Sequence, residues 1–308
     1  MTHRKLKPGN TLKKRLTTAV CMLFLAALSY VIIYPLISKV TSVFMSAADL
    51  RDPTVWLIPR TPTLVNIKNV VKYGDFWNVL KNNVIFSVVN GLLQAFSTTF
   101  IAYGISHYKF KGRKAVIAAV LLTLIIPLQT LYGPMYVKFR FFDWFGILQK
   151  AGLSVLNLQD SFSAMILLSV TGLGLKCGLF ILVMLQQFNS LPKELSEAAK
   201  VDGAGAVLTF FRINLPQVRA VMTAVFLLSF AWLWSDNFYS GVFMRNTPMF
   251  SSLVTKVSVI NAIGAVNNSM SGVMMNTAVV MMLIPLFAVY CFGQKALVQG
   301  IERSGIVG

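Results

Sequence analysis

Apolar stretches run through residues 16–38, 82–106, 115–137, 162–185, 218–238 and 271–292. A hydrocarbon layer about 30 Å thick is crossed by about 20 helical residues, which is the length of these stretches. Lipid offers no partner to a backbone N–H or C=O, so a segment of this kind must satisfy its own polar groups, and a helix does so. The patterning predicts an all-α integral membrane protein with six transmembrane helices. The composition agrees: 56% of the residues are hydrophobic and 12% are charged, against about 25% charged in soluble domains. The net charge of +18 would point a soluble chain toward nucleic acid. Here the basic residues fall between the apolar stretches, which reads instead as loops facing anionic membrane lipid, with no nucleic acid partner.

The orientation follows from where those basic residues lie. Residues 1–15 hold six Lys or Arg and no acid, and the turn at 107–114 holds four and no acid. Short basic segments stay on the cytoplasmic side, so a cytoplasmic N-terminal segment, 1–15, is expected. The first apolar run ends in Tyr34-Pro35-Leu36-Ile37-Ser38-Lys39, not in small residues. It is longer than a signal-peptide core and reads as an uncleaved first span. Six spans then place both termini, including a tail at 293–308, and the polar stretch 190–216 in the cytoplasm. Residues 39–80, 138–161 and 240–269 fall outside, with 251–265 as an interfacial or re-entrant helix. Cys21, Cys177 and Cys291 are isolated in apolar runs and show no metal spacing. His3 and His107 are the only histidines, too little material for a metal site.

Residues 190–216 interrupt the apolar pattern. Ser190 and Pro192 suit a helix start that runs to about Val201. Gly203 can take positive φ and end it, and a second short helix, Ala204 to Ile213, is closed by Pro216. Ala198, Ala199, Gly203 and Ala204 make a small-residue surface that another protein can approach closely, while Glu197 and Asp202 can orient the contact by hydrogen bonds. The order Glu197-Ala198-Ala199, then Asp202-Gly203-Ala204, then Phe210-Phe211-Arg212-Ile213 and Leu215-Pro216 resembles the EAA loop of ABC importer permeases, in the variant of the carbohydrate-importing, maltose-type group. The segments Trp56–Asn66 and Ile126–Tyr136 resemble the same group.

The resemblance covers most of the chain and implies an importer type I permease domain, 16–292, multi-pass in the cell membrane. It implies docking on an ATP-binding cassette ATPase dimer through Glu197, Ala198, Ala199, Asp202, Gly203, Ala204, Phe211, Ile213 and Pro216. It also implies a second homologous permease subunit and an extracytoplasmic solute-binding protein. The chain has no Gly-x-x-x-x-Gly-Lys-Ser/Thr loop. No catalytic residue, metal or cofactor is therefore expected in this subunit, and ATP with its Mg²⁺ belongs to the partner. A Gly203→Asp change is expected to abolish uptake without preventing insertion.

Six residues are candidates for a substrate path: Gln129, Lys176, Trp232, Trp234, Asp236 and Asn237. Pro127 allows a kink beside Gln129. Lys176, read as lying mid-helix, would cost about 2.5–3.5 kcal/mol on insertion scales, so it should face an interface or a wet cavity. Aromatic faces interleaved with Asp and Asn suit the C–H faces and hydroxyls of a sugar, although they also suit an interfacial aromatic belt. Ser235 stands where the family commonly has Asn after Trp. Three rivals remain at this point. An ABC importer of a non-sugar solute differs in the loop ending and in the external Trp segment. A polytopic enzyme of lipid or glycan metabolism would want convergent carboxylates or histidines at the membrane surface. A secondary transporter would want intramembrane acids, for which Asp236 is the sole candidate.

Overall fold

The computed structural model describes residues 8–144, 146–263 and 268–305. Its helices are α1 Pro8–Ser42, α2 Val65–Tyr73, α3 Phe76–His107, α4 Arg113–Ile125, α5 Tyr132–Arg140, α6 Ile147–Lys150, α7 Ser163–Val170 and α8 Cys177–Asn189, followed by α9 Lys193–Val201, α10 Ala206–Thr209, α11 Leu215–Trp234, α12 Phe238–Phe243, α13 Phe250–Ile263 and α14 Asn268–Gly305. Among the described residues there is no strand, only one isolated bridge between Phe142 and Leu156. Among them, four helical segments are long and apolar enough to cross a membrane: Lys13–Ser42, Phe76–His107, Ala206–Trp234 and Gly272–Gly300. A fifth is reached if α4 and Leu128–Arg140 count as one bent span.

The chain divides into two compact units, Met1–Tyr73 with Val257–Met281, and Gly74–Lys256 with Met282–Gly308. In the first, α1 exposes its apolar side chains along its length, Leu16 through Val40. The loop after it is tied by side chains. Buried Asn66 donates to the carbonyls of Val43 and Met45, each at 2.9 Å, and Asp49 accepts from the Thr61 N–H at 3.1 Å. Trp56 stands exposed and donates to the Pro53 carbonyl at 2.9 Å. Lys39 reaches Asn276 at 3.1 Å.

The second unit is built on α3, which packs against α7, α8 and α11. Asn83, Ser87, Asn90, Gln94 and Ser97 are buried and alternate at spacings of four and three, so they form one stripe along α3. Neighbouring helices satisfy most of it. Asn83 donates to the Trp234 carbonyl at 2.9 Å, Ser169 donates to Asn90 Oδ1 at 2.9 Å and Ser97 donates to the Ser169 carbonyl at 2.6 Å. Gln94 donates to Ser169 Oγ at 3.3 Å and accepts from Ser229 of α11. Such bonds between helices in lipid average only about 0.6 kcal/mol each. Their main effect is to fix the register of α3, α7 and α11, since any sliding leaves a polar group in an apolar core. Gly91 lets α11 come close, because a Cβ there would already touch the Phe226 ring at 3.4 Å.

Four sequence expectations are corrected here. The stretch 115–137 is not one kinked helix: α4 stops at Ile125, and Leu128–Arg140 turns away by 97°. Proline removes an N–H and also drives the preceding residue extended, and Ile126 sits at φ −69°, ψ 120°. The stretch 162–185 is not one helix either. It is α7, a break, then α8, so Lys176 is a loop residue at the start of α8 and not a mid-helix lysine. Pro216 does not close a helix: Ala206–Trp234 runs continuously through a π turn at Phe210–Asn214. The wider turn just upstream accommodates the proline ring, and Asn214 supplies a side-chain bond to the Thr209 carbonyl at 3.4 Å. Finally, residues 240–269 are not a plain external loop. Tyr239, Val242, Phe243, Met244 and Met249 are buried in one cluster with Phe86, Met165 and Leu233. Of the expected 251–265 helix, residues up to Ile263 lie within α13, and the remainder lies outside the described residues.

Candidate functional site

Two places gather the sequence-predicted residues. The first is the hairpin formed by α9 and α10. Ser190 does not cap α9. Its hydroxyl donates to the Gln187 carbonyl at 2.8 Å and finishes α8. α9 ends as expected at Gly203, whose φ is +80°, and the Ala204 N–H closes back on the Ala199 carbonyl at 2.9 Å. That six-to-one bond is the Schellman closure that needs a left-handed residue between its ends. One face of α9 is tethered: Ser196 and Ala199, three apart, are 6% and 5% exposed, and Ser196 donates to Asn214 Oδ1 in the π turn at 3.3 Å. Ala199 therefore lies inside, away from the surface that its neighbours make. Glu197, Ala198, Asp202 and Gly203 are exposed, and Ala204 is half-buried.

Apolar side chains surround these polar ones. Val201 is 88% exposed, Val207 72% and Phe211 49%, with Leu195 and Leu208 also open. Open apolar side chains grouped in this way suit contact with another protein or with lipid. Phe211 is propped from beneath by Phe210 and Phe100, with ring centroids 5.0 and 6.1 Å away. Ile213 and Pro216 sit within the continuous helix, half-buried and exposed respectively. Sequence reasoning missed Leu195, Val201, Val207 and Leu208. Apolar residues at helical spacing in a polar loop were the available signal.

The second place is a cavity of about 630 Å³ in the second unit. Both helix breaks line it: Thr123 to Gln129 and Leu131 on one side, Gly172 to Gly174 and Lys176 to Gly178 on the other, with Tyr239 beneath. Irregular backbone at membrane depth is tolerated where it is enclosed by protein or borders a cavity, and here two such breaks face each other. α7 ends through Gly172 at φ +73°, with the Leu173 N–H on the Leu168 carbonyl at 2.8 Å. Lys176 then takes φ +59°, a left-handed value in a residue with a Cβ. Its ammonium lies 6.0 Å from the centre of the Trp232 ring, which in turn stacks on Phe180 at 5.5 Å.

Of the six residues expected on a path, Gln129 and Lys176 line this cavity, and Trp232 stands behind Lys176. The other three do not line it. Trp234 is 2% exposed and donates its indole N–H to the Met282 carbonyl at 2.9 Å. Asp236 accepts the Ser240 N–H at 2.9 Å and also meets the N–H groups of Phe238 and Tyr239, so it caps α12. Asn237 is exposed at the start of the same helix, where its carbonyl accepts the Gly241 N–H at 3.1 Å. Among the described residues no group of three or more His, Cys, Asp or Glu is placed to hold a metal ion.

Residues 96–303 match the family described as "Binding-protein-dependent transport system inner membrane component". The chain is similar to the arabinooligosaccharides transport system permease protein AraQ of Halalkalibacterium halodurans, 25% identical over 92% of this chain and 94% of that one. It is similar to protein LplC of Bacillus subtilis, 25% identical over 97% of each. It is likewise similar to the maltodextrin transport system permease protein MalD of Streptococcus pneumoniae, 25% identical over 96% of this chain and 98% of that one. A crystal structure of a bacterial ABC transporter involved in the import of the acidic polysaccharide alginate shares the fold, with a TM-score of 0.69 at 20% identity over 96% of this chain and 98% of that one. The family match takes in the α9 hairpin, both helix breaks and the cavity they line, and on it the chain belongs to the binding-protein-dependent transport system inner membrane components: it is a multi-pass permease subunit, not the part that hydrolyses ATP.

Proposed function

We propose that this chain is the permease subunit of an ATP-driven, binding-protein-dependent importer of a sugar or oligosaccharide. The observation that carries the reading is the α9 hairpin, a helix–Schellman turn–helix tethered by Ser196 and presenting Glu197, Ala198, Asp202 and Gly203 amid exposed apolar side chains. An ATPase dimer docks there in this reading, with Ala204, Phe211, Ile213 and Pro216 completing or buttressing the contact. ATP and Mg²⁺ stay on that partner. Closure of the dimer draws the hairpin inward and, because Ala206–Trp234 is one continuous helix, the movement passes along it to the elements around the cavity. This is alternating access, with each state favoured by its own contacts.

A second permease subunit completes the pore, and an extracytoplasmic binding protein delivers the solute. The AraQ and MalD relatives, named for oligosaccharide transport, support the sugar, and a related alginate transporter solved with an alginate-bound periplasmic protein supports the binding protein. The topology has six spans, with α4–α5 and α7–α8 as broken ones, and cytoplasmic termini. The permease domain is 16–292, and 293–308 is a tail. Gln129, Lys176 and Trp232 belong to the substrate path, and Trp234, Asp236 and Asn237 support its floor.

The test is affinity capture of the tagged chain from native membranes in mild detergent, followed by mass spectrometry. Recovery with an ATPase, a second permease and a binding protein is expected. Recovery alone or with lipid-synthesis proteins would overturn the reading.

A further inference from the structure

The cavity wall holds a cation at a residue where two features meet. The first is the charge itself: Lys176 stands exposed in the break before α8, and no Asp or Glu lines the cavity. Among the described residues the one ion pair is Arg60 with Asp52, so no carboxylate among them pairs with the Lys176 ammonium. Asp236, the acid nearest in sequence to the lining residue Tyr239, is engaged by the N–H groups at the start of α12. The ammonium stands over the Trp232 ring, and a ring face does not neutralise a charge. The second is conformational. Lys176 holds φ +59°, where glycine or asparagine is at ease and lysine is strained. A fold needing only a turn before α8 would be better served by either of them. Strain and an unneutralised charge at one lining residue indicate a ligand that uses both.

We propose that this cavity takes a saccharide bearing an anion, a carboxylate or a phosphate, with the Lys176 ammonium as the partner of the anion and the Gln129 amide as a partner of its hydroxyls. The inference rests on the importer reading above and narrows its substrate class. A volume of about 630 Å³ falls in the range of about 300–1,000 Å³ that holds a small molecule, so it admits one charged sugar unit with its neighbour. The left-handed turn directs the lysine from the break, where the backbone is already open, and the Trp232–Phe180 stack braces the side chain. Apolar lining from Ile126, Leu128, Leu173 and Met135 keeps the local dielectric low, which strengthens a charge pair once the anion is inside.

The experiment uses the intact importer in cells, with the purified complex checked for ATPase activity. Uptake is measured for uronate oligosaccharides of two to four units in several linkages, for the carboxyl-reduced neutral twin of each, and for phosphorylated disaccharides. At least one acidic compound is expected to enter at least tenfold faster than its neutral twin. The uronate and phosphate arms tell which anion it is. Lys176→Gln should bring that compound down to the rate of the neutral twin, while Lys176→Arg should keep the preference. If Lys176→Gln does not accumulate in the membrane, the preference of the unaltered importer decides alone. Neutral twins entering as fast as the acids would overturn this inference and leave the sugar importer standing. Loss of the second permease from the Lys176→Gln complex, with neutral sugar the only solute transported, would overturn it as well. Entry of no saccharide of any kind through an ATPase-active complex would overturn both.

Discussion

Gly203 allows strain and steric exclusion to be separated. Its φ of +80° is required by the closure of the Ala204 N–H on the Ala199 carbonyl at 2.9 Å. A Cβ built there would meet nothing within 4 Å, so within this chain the effect of Gly203→Ala is purely conformational. Left-handed backbone costs an ordinary L-residue about 1–2 kcal/mol, which shifts the balance between closed turn and frayed loop by a factor of about 5–30. Hydrogen exchange of the Ala204 amide, in the complex in lipid nanodiscs, should accelerate by that factor in Gly203→Ala. Uptake per inserted subunit should fall with it. Asparagine tolerates the left-handed region, so Gly203→Asn should keep both protection and most of the uptake. Gly203→Asp keeps the turn but adds a charge beside Asp202 on the docking face, and should abolish uptake with protection intact. Unchanged protection in the Ala variant would refute the strain argument. Equal loss of uptake in the Asn and Ala variants would refute it too, because a partner's surface excluding any side chain would then be the cause.

Three further outcomes follow from the structure. A Cβ at Gly174 would lie 2.5 Å from Gln94 Nε2, so Gly174→Ala should overpack the buried polar stripe, cost about 1–3 kcal/mol and lower the yield and thermal midpoint of the purified complex. Trp234→Phe removes the indole hydrogen bond to the Met282 carbonyl in a buried place; it should cost about 0.5–1.5 kcal/mol of stability by thermal unfolding in detergent and leave the choice of substrate unchanged. Hydrogen bonds from the Thr54 hydroxyl and N–H hold the Asp52 carboxyl below its ordinary value of 3.8, against a smaller effect of burial and with help from the Arg60 charge. A depressed value contributes order above the unfolded value that is lost as pH falls through the folded one. Limited proteolysis between Asp52 and Arg60 should therefore be unchanged from neutrality down to about pH 4 and increase below that.

The sequence by itself determined the class of the molecule, because lipid restricts long apolar segments to helices, and that restriction acts within each segment. It also determined the turn at Gly203: the left-handed requirement is local, and a glycine after a run of helix formers announces it. The polar residues of α3 stand in the sequence as Asn90, Gln94 and Ser97, at the four-and-three spacing of one helix face. What they face was decided only by packing, since Ser169 and Ser229 come from distant parts of the chain. Packing also decided whether a proline bends or breaks. Pro127 turns the chain by 97°, whereas Pro216 sits in a helix that continues through a π turn, and the two differ in what lies beside them to satisfy the freed backbone groups. Lys176 is the clearest case. Composition marks it as a costly charge in an apolar run, but whether it is buried, paired or open depends on where the break before α8 falls. Only the folding of that break against the one at Pro127 gives the lysine a cavity to face.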